Sequence, residues 1–126
     1  MDCYFGSCLI DPSQATDKTS VVAFQIPQVG IHFKAPFAAV DSMHSDLASL
    51  LALLEFIDSN QKYFSNRTYQ IYGTNQSLIQ LFEQPEAIPP IFVSLMDRAF
   101  EYRARYHFSL HWIPIQESPL TEDLLD

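Results

Sequence analysis

The first forty residues alternate between apolar and polar positions with a period near two. "DCYFGSCLI", "TSVVAFQIP" and "GIHFKAPFAAV" each read as a strand. The turn-forming "DPSQATDK" separates the first pair and "PQVG" the second, a spacing that suits an antiparallel meander. From Ser42 to Ser59 the period lengthens. Leu47, Leu50, Leu51, Leu54 and Ile57 recur at helical intervals and form one broad stripe, with Asp41 and Ser42 placed to cap its start. "SNQKYFSNR" reads as an exit loop, and "TYQIYG" as a fourth strand leading through Gly73 into a short helix, "NQSLIQLFEQ". After Pro85, Pro89 and Pro90, the residues Phe92, Leu95, Met96, Ala99, Phe100 and Arg103 mark a second amphipathic helix. Arg103 is placed there to lay its stem on the apolar face. "YHFSLHWIPI" predicts a fifth strand and "SPLTEDLLD" a terminal helix.

Three antiparallel strands followed by helix, strand, helix, strand and helix describe an α/β chain with a mixed sheet. Helical crossovers are right-handed, so the fourth and fifth strands should run parallel to the first, giving the order 3-2-1-4-5. Ligand sites in such sheets collect at the carboxyl ends of the central strands, here near Phe5, Gly6, Thr74 and the loop after Trp112. No repeat or linker divides the chain, so residues 1–126 read as one domain.

Composition narrows the classes. With 48% hydrophobic and 13% aromatic residues, a chain of 126 residues can bury a core without disulfides or structural metal. The longest apolar stretch, "LASLLALLEFI", is too short to span a membrane, and the opening lacks a basic signal region, so a cytosolic location is expected. Cys3 and Cys8, about 17 Å apart on an extended strand, are out of disulfide reach. The formal charge of −8 works against attachment to phosphate backbones. Arg98, Arg103 and Arg105 share their stretch with Asp97 and Glu101 and read as a solvated helix face. The aromatics on predicted strands, among them Tyr4, Phe33, Tyr72 and Trp112, read as core packing.

Several short motifs resemble the ribonuclease H fold family over nearly the whole chain. "CYFGSC" is similar to that family's first-strand "TDGSC", "SDLASLLALL" to its helix "MELxAxxxAL", "IYGTNQ" to "IYTDSQ", "HWIPIQ" to "xWVPGH" and "EDLLD" to "NExAD". The resemblance implies a nuclease that cuts the RNA strand of an RNA·DNA hybrid with two Mg²⁺ ions held by four carboxylates. Carried over by position, those carboxylates fall on Phe5, Asp46, Thr74 and Asp126, and the mobile-loop histidine falls on Gln116. Only Asp46 and Asp126 remain acidic, and they are weak candidates for metal ligation. Two dications about 4 Å apart repel by roughly 16 kcal/mol at an effective dielectric of 20, which two carboxylates offset poorly. Thr74 would be a neutral, weak Mg²⁺ ligand. Glu55 and Asp2 lie too far along the helix or on the wrong strand face to substitute.

Other constellations are weaker. His107 and His111 lie about 13 Å apart on a regular strand, too far to share a metal. His44, two residues before Asp46, could complete a mononuclear site with Asp46 and Asp126. Three glycines cannot build a phosphate loop. The expectation is a non-catalytic ribonuclease H-like interaction or scaffold domain without cofactor, acting through a protein partner or as a homodimer. The alternative is a nucleic-acid binder or nuclease with a reduced Mg²⁺ site around Asp46, Thr74 and Asp126.

Overall fold

The computed structural model describes residues 1–9, 19–64 and 67–125, with the side chains of 9, 19, 122, 123 and 125 left aside. The predicted turn at 11–18 and Asp126 therefore lie outside the described residues. Five strands form one sheet in the order β3-β2-β1-β4-β5: β1 (Asp2–Leu9), β2 (Thr19–Ile26), β3 (Ile31–Ala38), β4 (Tyr69–Gly73) and β5 (Phe108–Trp112). β1 pairs antiparallel with β2, and β2 with β3, while β4 runs parallel to β1 and β5 parallel to β4. This is the topology expected from the sequence. Between β2 and β3 the chain makes a 3₁₀ turn at Pro27–Val29 and closes on Gly30, whose φ of 68° lies in the left-handed region that glycine tolerates.

Period two places alternate residues of each strand on opposite faces. On one face Cys3, Phe5, Phe24, Ile26 and Ile71 meet Leu47, Leu50, Leu54 and Ile57 of α1 (Ser42–Ser59), and all of these are buried. Asp41 caps α1 by accepting from the His44 amide. α3 (Gln76–Glu83) contributes Leu78 and Phe82 to this core, and α4 (Val93–Arg105) contributes Met96 and Ala99. α1 is tied to the sheet by a polar chain. The buried Ser45 donates to Ser20 at 2.8 Å, and Ser20 donates to the Phe37 carbonyl at 3.0 Å.

The opposite face is covered in part by α5 (Leu120–Leu125), whose Leu120 and Leu124 approach Gly6. Next to it a row crosses all five strands in register: His32, Gln25, Tyr4, Tyr72 and His111. The Tyr4 and Tyr72 rings stack with centroids 5.2 Å apart, and His111 lies 5.2 Å from Tyr72 and hydrogen-bonds Gln70.

Four sequence expectations need correction. The exit loop after α1 contains a short helix, α2 (Gln61–Phe64), anchored by buried Phe64, whose carbonyl accepts from the Tyr69 hydroxyl at 2.6 Å. β5 is half the predicted length. His107 lies outside it, and Pro114, which has no amide hydrogen, stands where the ladder would continue. Phe33 and Trp112 are exposed rather than core, because β3 and β5 are the sheet edges. His44 does not face Asp46: its Nδ1 accepts from the Val40 amide and its ring packs against Phe37 and Phe92.

Arg98 behaves as a surface residue paired with Glu55, and Arg105 reaches Asp58 at 3.4 Å while lying over the Tyr102 ring. Among the described residues no helix is long and apolar enough to cross a membrane.

Candidate functional site

The carboxyl ends of β1 and β4 bring Phe5, Asp46 and Thr74 into one neighbourhood. Asp46 comes from the first turns of α1 and lies above Ser7, which shares its sheet face with Phe5. The Ser7 hydroxyl donates to Asp46 Oδ1 at 2.6 Å, and Asn75 Nδ2 donates to Oδ2 at 2.8 Å. Asn75 also caps α3, its Oδ1 accepting from the Leu78 amide at 3.1 Å. One carboxylate thus joins a strand, a helix and the start of a second helix. Burial pushes the Asp46 carboxyl up from its ordinary value, and the hydrogen bonds from Ser7 and Asn75 offset part of that rise.

Phe5 is 1% exposed. Its ring lies directly over Gly73, so that a β-carbon at position 73 would stand 2.5 Å from Phe5 Cζ and 2.7 Å from Cε1. An apolar ring therefore occupies the space beside the last residue of β4. Thr74 is half-buried, and its carbonyl accepts from Trp112 Nε1 at 3.2 Å. Gln116 is exposed in a 3₁₀ turn at Ile115–Glu117. Thr74 and Gln116 both border a cavity of about 220 Å³ that opens under α5 on the other side of β1.

The sequence pointed to Phe5, Asp46 and Thr74 but not to the clamp that holds Asp46. Two signals were available: Ser7 falls on the same strand face as Phe5, and Asn75 is a favoured helix cap. Among the described residues, no group of three or more His, Cys, Asp or Glu side chains is disposed to hold a metal ion.

Among the described residues, Phe5, Asp46 and Thr74 do not fit a two-Mg²⁺ centre. Phe5 offers no ligand atom, and both oxygens of Asp46 are engaged by neutral donors within the fold. Hard dications require several oxygen ligands, carboxylates foremost.

The architecture is that of the ribonuclease H fold. LC11 ribonuclease H1, isolated from compost by a metagenomic approach and solved in complex with an RNA/DNA hybrid, matches with a TM-score of 0.74 and 8% identity over 98% of this chain and 91% of that one. Ribonuclease H1 from the halophilic archaeon Halobacterium salinarum matches with a TM-score of 0.69 and 12% identity over 98% and 89%. The foamy viral protease-reverse transcriptase, solved with dsDNA, matches with a TM-score of 0.67 and 8% identity over 98% and 86%. At these identities the likeness is one of fold. No family sequence model matches the chain, and no curated protein matches it in sequence.

Proposed function

We propose that this chain is a non-catalytic ribonuclease H-like domain that works as an interaction or scaffold module, through a protein partner or through self-association. The observation that carries this reading is the ring of Phe5 packed on Gly73 at the position the fold family gives to a metal-bridging carboxylate. The engagement of Asp46 by Ser7 and Asn75 within the fold is consistent with a structural role for that carboxylate. The net charge of −8 favours protein contacts over phosphate backbones.

The test is incubation with an RNA/DNA hybrid in Mg²⁺ or Mn²⁺, alongside light scattering for oligomeric state. No strand cleavage is expected. Cleavage that Asp46→Asn abolishes overturns the reading and points to a reduced site around Asp46, Thr74 and Asp126.

A nucleic-acid-binding role without cutting is the second reading, favoured by the hybrid and dsDNA seen with the structural neighbours. It requires hybrid binding that weakens steeply with salt.

A further inference from the structure

The cavity under α5 has a chemistry that the proposed scaffold role does not use. It lies between the end of β1, the residue after β4 and the segment running into α5, and Gly6, Cys8, Thr74, Ile115, Leu120 and Leu124 form much of its wall. Gly6 leaves room there: a β-carbon at that position would reach Leu120 Cδ1 at 3.5 Å and Leu124 Cδ1 at 3.8 Å. Among the described residues no charged side chain lines it.

The hydroxyls nearby are already engaged within the fold. Ser7 donates to Asp46, Thr121 donates to the Ile115 carbonyl at 2.7 Å, and Ser118 Oγ accepts from the Leu120 amide at 3.2 Å. What remains to a ligand is an apolar wall of Phe5, Ile115, Leu120 and Leu124, with half-buried Thr74 and exposed Gln116 to meet one polar atom at the rim. Among the described residues the wall holds no cation for an anion and no carboxylate for a divalent ion.

Size sets the remaining limit. An engineered cavity of about 150 Å³ lined by Leu, Ile and Phe stays dry and admits benzene. At about 220 Å³ this one has space for a single ring or two fused small rings. The cavity opens at a rim that includes Gln116 and Ile115, so a neutral ligand of matching shape would displace water from its apolar wall.

We propose that this cavity is a binding site for a small, neutral, predominantly apolar ring compound with at most one hydrogen-bonding group. The cavity borders Phe5, Thr74 and Gln116, the positions that the family resemblance gives to its site, and the test below reads binding without needing any cleavage.

Indole is the probe. Titrated into the intact chain, it should move the backbone amide resonances of Gly6, Cys8 and Thr74 saturably and leave β3 unchanged. By mass action, at ten times its dissociation constant it should also slow alkylation of Cys8 about tenfold. Cys3 does not confuse that readout, since it is fully buried and burial pushes its thiol up to about 12. Thr74→Phe fills the cavity and should abolish the shifts. Ile115→Glu, at a position 62% exposed and so tolerant of charge, should weaken indole about tenfold by placing a carboxylate at the rim. Benzoate should bind more weakly than indole.

Three results overturn the proposal: no saturable shift of the Gly6 and Thr74 amides at millimolar indole, shifts that persist unchanged in both variants, or benzoate binding as tightly as indole.

Discussion

Asp46 and Asn75, from different helices, are joined by a 2.8 Å hydrogen bond, and the same asparagine caps α3 through its other side-chain atom. With Ser7 on the far side, the carboxylate is a clamp across β1, α1 and α3. Its chemistry can be separated from its shape. Asp46→Ala strands two donors and should lose about 1–3 kcal/mol of stability in urea unfolding. Asp46→Asn can donate to Ser7 and accept from Asn75, so its loss should stay within about 1 kcal/mol. Equally small losses would mean that the clamp contributes nothing, and equally large ones that it needs the carboxylate's charge.

Protonation of Asp46 should also be visible in stability. Its folded carboxyl titrates above the ordinary value of 3.8, so between the two values the folded chain binds more protons than the unfolded one. Stability linked to this group therefore rises as pH falls through the folded titration point, and the gain is complete below the ordinary value. Wild type should gain on Asp46→Asn over that window in paired denaturation curves. A difference that is flat with pH, or that runs the other way, contradicts the burial of a charged carboxyl.

Gly73→Ala should destabilise by about 1–3 kcal/mol, because the new methyl meets the Phe5 ring and a packed ring yields poorly. Phe5→Leu in the same chain should recover part of that loss. The two effects should then be non-additive, as expected for residues in contact. Additive losses in the double-mutant cycle would show that the ring and Gly73 do not meet.

The serine chain beneath α1 predicts an asymmetry. Ser20→Ala removes both the acceptor of Ser45 and the donor to the Phe37 carbonyl, whereas Ser45→Ala removes only one bond. Thermal unfolding should place Ser20→Ala below Ser45→Ala by about 1 kcal/mol.

The Glu55 and Arg98 pair should matter little. Both side chains are about half exposed, and exposed ion pairs contribute about 0–1 kcal/mol. Glu55→Gln should leave the unfolding midpoint near that of wild type, and a large drop would place the pair in the core framework.

Much of the fold was legible because it follows from periodicity. Alternation placed Cys3, Phe5 and Ile71 on one sheet face, and the leucine stripe of α1 found that face. The short helix at Gln61–Phe64 was not legible, since it has a single apolar anchor and no repeat. Edge positions misled for a different reason: Phe33 and Trp112 carry the composition of core strands, and only the strand order shows that β3 and β5 have open sides. At the site, the strand order and the resemblance of the strand motifs to the ribonuclease H family singled out Phe5 and Thr74. The clamp on Asp46 depends on three elements meeting, and no spacing within one element encodes that.

The contact between Phe5 and Gly73 makes two distant positions interdependent. A carboxylate placed at 5 would leave a hollow beside the glycine and a charge with no counter-ion among the described residues, while a side chain placed at 73 would crowd the ring. Neither strand can be altered alone toward an ion-holding centre without first passing through a less stable chain. Building such a centre here by design would have to begin with both positions at once.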